Sequence, residues 1–210
     1  LNEGGLLSGY ARNNADPLSY GGVSMIASGD LINKTLQAER IASIASEADD
    51  LMVAIGGDYD GKDSNLVASH DVLLNVPGKI TISGGTLSAG KNAELKGTEV
   101  SIESNGDGIT DLGLVSAATG ALTVIATSGD VVNNGAQLRG FEKDAFNTNS
   151  KGGVTIEAQG SVLNRSNNAD QLAVIFSGKD DLDVAAVTGE ILNDNGRLIS
   201  NGKVKIDAAQ

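Results

Sequence analysis

Cysteine and tryptophan are absent from this 210-residue chain, which holds one histidine, two prolines, three tyrosines and three phenylalanines. Without cysteine there is no disulfide scaffold, thiolate zinc site, cysteine nucleophile or redox pair. Positive charge is scarce as well: 15 Lys and Arg face 27 Asp and Glu, a formal net charge of −12. That balance argues against binding nucleic acid or an anionic membrane through a general electrostatic surface. No stretch approaches the roughly 20 apolar residues that span a bilayer, and the N-terminus lacks the charged-then-apolar order of a signal peptide. The first residue is Leu1, not Met, so the chain is expected to be a piece of a longer protein, with any targeting signal, catalytic domain or anchor outside it.

What is present is 40% hydrophobic and 20% charged residues with 28 glycines, a composition that folds. With few aromatic rings, each of which buries roughly 150–250 Å², the core must come from Val, Ile, Leu and Ala. Small branched side chains, much glycine and little proline suit stacked short strands joined by tight turns.

A repeat supports this expectation. Gly29-Asp30-Leu31-Ile32-Asn33 recurs as Gly129-Asp130-Val131-Val132-Asn133, as Gly160-Ser161-Val162-Leu163-Asn164 and as Gly189-Glu190-Ile191-Leu192-Asn193, the last three spaced by 160 − 129 = 31 and 189 − 160 = 29 residues. Upstream of the copies, Val23/Met25/Ala27, Leu122/Val124/Ala126, Val154/Ile156/Ala158 and Leu182/Val184 alternate with the period of a strand. Each unit reads as two strands meeting at a corner, where Gly and Asn tolerate positive φ. Asn33, Asn133, Asn164 and Asn193 are expected to stack, their amides satisfying backbone groups at that corner.

A second alternating element, Leu87/Ala89, Ala93/Leu95 and Val100/Ile102, has a counterpart at Leu198/Ser200 and Val204/Ile206/Ala208. Together the elements describe a parallel β-solenoid, whose inward side chains form ladders of like residues. At about 20 residues per coil, roughly ten coils make a rod of about 50 Å. A globular antiparallel sandwich is the other reading, though it would not require the repeated corner. Residues 35–55 have helix-forming composition, but Leu36-x-Ala38 matches Leu87-x-Ala89 and Leu51-x-Val53-x-Ile55 alternates, so strands are expected. Residues 56–70 and 141–152 break the pattern and read as loops protruding from a single unit spanning 1–210.

The Gly-Asp-Val-Val-Asn corners, the Leu87-x-Ala89-Gly90-x-x-Ala93-x-Leu95 pattern and the segments GGTLSAGKNAELKG (84–97) and GGVTIEAQGSVLN (152–164) resemble the shaft repeats of filamentous haemagglutinin-type exoproteins. These are the two-partner secretion adhesins and contact-dependent inhibition proteins of Gram-negative bacteria, and the resemblance covers nearly the whole chain. It implies a right-handed parallel β-helix, export through a dedicated outer-membrane transporter, and a secreted or cell-surface location associated with the outer membrane. It further implies a virulence fibre that presents a distal adhesive or toxic domain to a receptor on a host or neighbouring cell. Nucleic-acid binding and membrane insertion are not expected of this segment. The Asn-Pro-Asn-Leu and Asn-Pro-Asn-Gly motifs of the family's secretion domain are missing, Pro17 and Pro77 lying in other contexts, and Arg139-Gly140 continues to Phe141 rather than completing an integrin motif. Absence of cysteine also suits a chain that crosses an oxidising periplasm unfolded.

Among candidate sites, Asn105-Gly106-Asp107-Gly108-Ile109-Thr110-Asp111 resembles the middle of a calcium loop. With Glu103 first, Asn105, Asp107 and Asp111 fall at the third, fifth and ninth positions, but Leu114 stands where the final acidic ligand belongs. A Gly-rich turn is the competing reading, and no cofactor is otherwise expected. Asp58, Asp60 and Asp63 read as a solvated loop without the spacing of a metal cage. His70 has only Ser69 and Asp71 beside it, which a strand would send to other faces, so no catalytic residue is assigned. A polysaccharide-active β-helix enzyme shares the expected fold. Sugar clefts generally use aromatic platforms, however, and Tyr10, Tyr20, Tyr59, Phe141, Phe146 and Phe176 are scattered along the chain. Asn33-Lys34-Thr35 and Asn164-Arg165-Ser166 fit the glycosylation pattern, and a structural ladder competes for both asparagines. The sequence therefore favours a non-enzymatic shaft segment, with a receptor-binding module or an enzyme as alternatives.

Overall fold

The computed structural model describes residues 1–10, 22–105, 113–166 and 171–209. The fold is all-β, a parallel β-solenoid of three eight-stranded sheets. The first sheet contains Asn2–Glu3, Leu31–Lys34, Tyr59–Lys62, Ile80–Ser83, Val100–Glu103, Val131–Asn134, Val162–Arg165 and Ile191–Asp194. The second contains Leu6–Gly9, Ser43–Ser46, Asn65–Ala68, Thr86–Ala89, Leu114–Ala117, Gln137–Gly140, Ala173–Ser177 and Gly196–Ser200. The third contains Val23–Ala27, Leu51–Ile55, Val72–Asn75, Ala93–Gly97, Leu122–Ala126, Val154–Ala158, Leu182–Ala186 and Val204–Ala208. Each coil visits the three sheets in that order, and within every sheet a strand pairs in parallel with its counterparts one coil below and one above.

Alternation decides which side chains enter the core. Val53, Leu74, Leu95, Val124, Ile156 and Val184 occupy one register column of the third sheet and are all buried. Burying each such side chain contributes roughly 1.5–3 kcal/mol. Between the sheets the space is narrow, so aliphatic ladders fill it and large rings are almost excluded; Tyr59 is the one buried aromatic among the described residues.

Eight coils are present where about ten were expected, because coil length is not constant. The spacing is 80 − 59 = 21 and 100 − 80 = 20 residues in the middle of the first sheet, but 131 − 100 = 31 further on. Strands keep their register, and the additional residues lie at corners, between Lys34 and Ser43, Glu103 and Leu114, Gly140 and Val154, and Arg165 and Ala173. Seven steps at about 4.8 Å give about 35 Å from first strand to last.

Several local expectations are corrected. Residues 56–70 do not protrude: Tyr59–Lys62 and Asn65–Ala68 are full members of the stack, with Tyr59, Gly61, Leu66 and Ala68 facing inward. Asp60 misled because the outward positions of a strand accept any polar side chain, and Gly61 because it faces inward where an aliphatic is normally found. Leu36-x-Ala38 is not a strand but a turn with Leu36 exposed, whereas Ser43–Ser46 and Leu51–Ile55 are strands. Residues 141–152 contain no strand and form the excursion anticipated for them. They fold back over the third sheet, where the Asn147 amide donates to Glu94 Oε2 at 2.6 Å.

The repeated asparagines are not at a corner. Asn33, Asn133, Asn164 and Asn193 are the third residues of first-sheet strands. The sharp bend comes next, between first and second sheets, where Gly4, Asp63, Gly84, Gly85, Gly135 and Asn195 adopt positive φ. In the short links there, one left-handed residue, or two at Gly84-Gly85, turns the chain within one or two residues, which Gly, Asn and Asp tolerate best.

Candidate functional site

Polar groups inside the stack are used structurally. Asn2 Nδ2 donates to Asn33 Oδ1 at 2.8 Å, Asn133 Nδ2 to Asn164 Oδ1 at 2.8 Å, and Asn164 Nδ2 to Asn193 Oδ1 at 2.6 Å. Stacking as such is therefore present. Between the two ladders the same register column holds Gly61, Ile82 and Ile102. Tyr59 explains the glycine: a Cβ on Gly61 would lie 2.6 Å from the Tyr59 hydroxyl oxygen. The hydroxyl, in hydrogen-bonding reach of Asn33 and Ser64, ends the lower ladder. Burial pushes this phenol up to about 12, against the lowering effect of those two hydrogen bonds. The asparagines of both glycosylation-type motifs, Asn33 and Asn164, are buried with their amides engaged, so the folded chain does not offer them to an enzyme.

The turns carry ladders too. Asp30 Oδ1 accepts from the Asp58 amide and Asp58 Oδ1 from the Lys79 amide, both at 2.8 Å. At another corner Asp50 accepts from the Asp71 amide, Asp71 from the Asn92 amide, and Asn92 from the Ala121 amide. A carboxylate or amide oxygen beneath an exposed N–H replaces the pairing that a strand would supply.

These roles account for most of the acidic candidates. Asp58 caps a turn, Asp60 points outward from its strand, and Asp63 is buried at positive φ. The three do not converge, and Asp63 is no part of a solvated loop. Asn105 Nδ2 donates to Asp63 Oδ1 at 2.7 Å and to the Ser83 carbonyl at 3.1 Å, so this calcium candidate ties two lower coils together. Asp107 and Asp111, the other two candidates, lie outside the described residues. His70 Nδ1 stands 3.6 Å from Asp49 Oδ1, with Asp50 close by. Sequence distance hid this group, yet Asp49 Oδ1 also accepts from the Asp50 amide and Asp50 Oδ1 from the Asp71 amide.

The feature that sequence reading missed is the outer face of the second sheet. The first sheet's strands carry Glu3, Asp60, Glu103 and Asp194, and the third's carry Glu94, Glu157, Asp183 and Asp207. In the second sheet's strands there is no Asp, Glu or Lys; Arg139 and Arg197 are their charged residues. One face of an acidic molecule is thus free of strand carboxylates. Its upper half holds a groove of about 360 Å³ lined by Leu114, Ser116, Gln137, Arg139, Phe141 and Phe176 among others. Two of the six aromatics, Phe141 and Phe176, though far apart in sequence, therefore line one groove. Arg139 and Phe176 are register neighbours, and Phe141 leaves the same strand at the start of the excursion.

Phe141 is firmly held. Its amide donates to the Gly120 carbonyl at 2.8 Å, and its carbonyl accepts from the Lys179 and Asp180 amides at 2.9 and 3.1 Å. The ring lies over Gly178, where a Cβ would stand 2.7 Å from Phe141 Cδ2. Arg139 donates to Gln137 Oε1 and forms no ion pair among the described residues, whereas Lys179 pairs with Glu142 and Lys151 with Glu157. A signal existed in the outward residues of Gln137-Leu138-Arg139 and Val174-Ile175-Phe176, but it needed the register to be read. Compared with protein-family models, curated proteins and solved structures, the chain matches none.

Proposed function

We propose that this chain is a structural segment of a secreted bacterial cell-surface adhesin or contact-dependent inhibition fibre, holding a distal binding or toxin domain away from the cell. The observation that carries the reading is the unbroken parallel stack: all three sheets run through all eight coils. Stiffness along the axis follows, because every coil is tied to the next by three sets of backbone hydrogen bonds and by side-chain ladders. The resemblance to filamentous haemagglutinin-type shafts supplies the rest of the reading, including the outer-membrane transporter as export partner. No catalytic role is assigned. The test is deletion of all eight coils from the gene of the producing cell. Export and activity of the distal domain are expected to persist on a fibre about 40 Å shorter. Depolymerisation of a glycan by the purified chain, or loss of adhesion with the fibre still displayed, would overturn it.

A second reading, a receptor-binding module within the shaft, is favoured by one observation: the outer face of the second sheet lacks strand carboxylates in a strongly acidic chain.

A further inference from the structure

From the groove on that face, we propose a binding site for a glycan residue bearing a carboxylate, a uronic or sialic acid. It rests on the receptor-binding reading and is independent of the shaft reading. The groove is concave and mostly apolar, with a few converging polar groups, the general make-up of small-ligand sites. Phe141 and Phe176 offer ring surface to the C–H face of a pyranose. Arg139, the register neighbour of Phe176 and two residues before Phe141 in the same groove, presents a planar fork of donors that matches a carboxylate. Because Gln137 Oε1 accepts from Arg139, the Gln137 NH₂ is left to donate to the ligand, and Ser116 adds a hydroxyl on the groove floor.

Charge selects an anion. The chain carries net −12, yet the strands around Arg139 hold no acid, and its guanidinium is uncompensated by any described carboxylate. Backbone geometry selects a ring over an extended peptide. Leu114–Ala117, Gln137–Gly140 and Ala173–Ser177 are each paired on both edges, so no free edge can take an added strand. Recognition is left to side chains, which suit a compact ligand of one or two sugar units. The wall is preorganised, since three backbone hydrogen bonds fix Phe141 and no loop closure has to accompany binding.

The test uses the whole 210-residue chain with a glucuronate-containing disaccharide and sialyllactose, beside lactose and the carboxyl-reduced disaccharide. Saturation-transfer NMR and calorimetric titration read binding. At least one acidic sugar is expected to bind, at least tenfold more tightly than its neutral counterpart, with ring protons receiving saturation. Arg139→Gln should weaken it roughly tenfold, Phe176→Ala should remove the ring signal, and Arg197→Gln, outside the groove, should change nothing. Unaltered thermal midpoints of the variants show that they fold. No binding at millimolar sugar, equal binding of neutral and acidic sugars, indifference to Arg139→Gln, or tighter binding of an acidic peptide in the same groove would each overturn the site. None of these outcomes bears on the shaft reading, which is tested separately by deletion of the coils.

Discussion

Tyr59 and Asn164 show how single residues support the stack. Tyr59→Phe removes a buried hydroxyl that reaches Asn33 and Ser64, and should cost about 1–1.5 kcal/mol at pH 7 in urea denaturation. The same variant has a pH signature. Because burial raises the phenol to about 12 from an ordinary 10, the folded state keeps its proton while the unfolded state loses it. The wild-type chain should therefore lose stability as pH rises from about 10 to 12, by up to about 3 kcal/mol. Tyr59→Phe should show less of that alkaline loss, and a parallel decline in both proteins would contradict the assignment. Asn164→Ala strips partners from Asn133 Nδ2 and Asn193 Oδ1 and should cost about 2 kcal/mol or more. Asn193→Ala, at an exposed position, should cost less than half as much by the same measurement.

At the scale of strands and corners, legibility followed the periodicity. Alternation located the strands at Val23–Ala27, Leu122–Ala126 and Val154–Ala158 because the first, third and fifth residue of each is apolar, even with Ile26 and Ile125 at outward positions. Tyr59–Lys62 was hidden because Gly61 and Tyr59 face inward where an aliphatic is normally found. The excursion at 141–152 was readable from composition, but its return over Glu94 was not, since a hydrogen bond between residues 53 apart leaves no local trace. The same limit applied to the groove, whose two rings come from different coils. Interior strands also set a measurable constraint. Ser116 lies in a strand paired on both sides, so Ser116→Pro should destabilise by about 3 kcal/mol or more. Ser116→Thr keeps the N–H and adds a β-branched side chain, and should stay within about 0.5 kcal/mol of wild type. Thermal or chemical denaturation of the pair separates backbone pairing from side-chain effects.

For the whole molecule, a solenoid differs from a globule in being divisible. Val131 and Val162 are register partners, so removing residues 131–161, one whole coil, joins Asp130 to Val162 and sets Val162 above Val100. Such a chain should fold cooperatively with a slightly smaller dependence on denaturant, whereas removing only 131–145 takes out the coil's first- and second-sheet strands, leaves its third-sheet strand Val154–Ala158 stranded, and should leave the chain unfolded or aggregated. Circular dichroism and urea titration distinguish the two. The first deletion also removes Arg139 and Phe141, so sugar binding should vanish while the remaining stack persists. The most direct measurement uses the chain's lack of cysteine, which lets two introduced thiols carry spin labels without interference. Ala45, Val67, Ser88, Ser116, Arg139, Phe176 and Ile199 form one outward column of the second sheet. With one label at 45 and the other at 139, 176 or 199, Cα separations of about 19, 24 and 29 Å are expected, a constant step of about 4.8 Å per coil. Distances that fail to grow in equal steps along this column would contradict the stacked rod and every functional reading built on it.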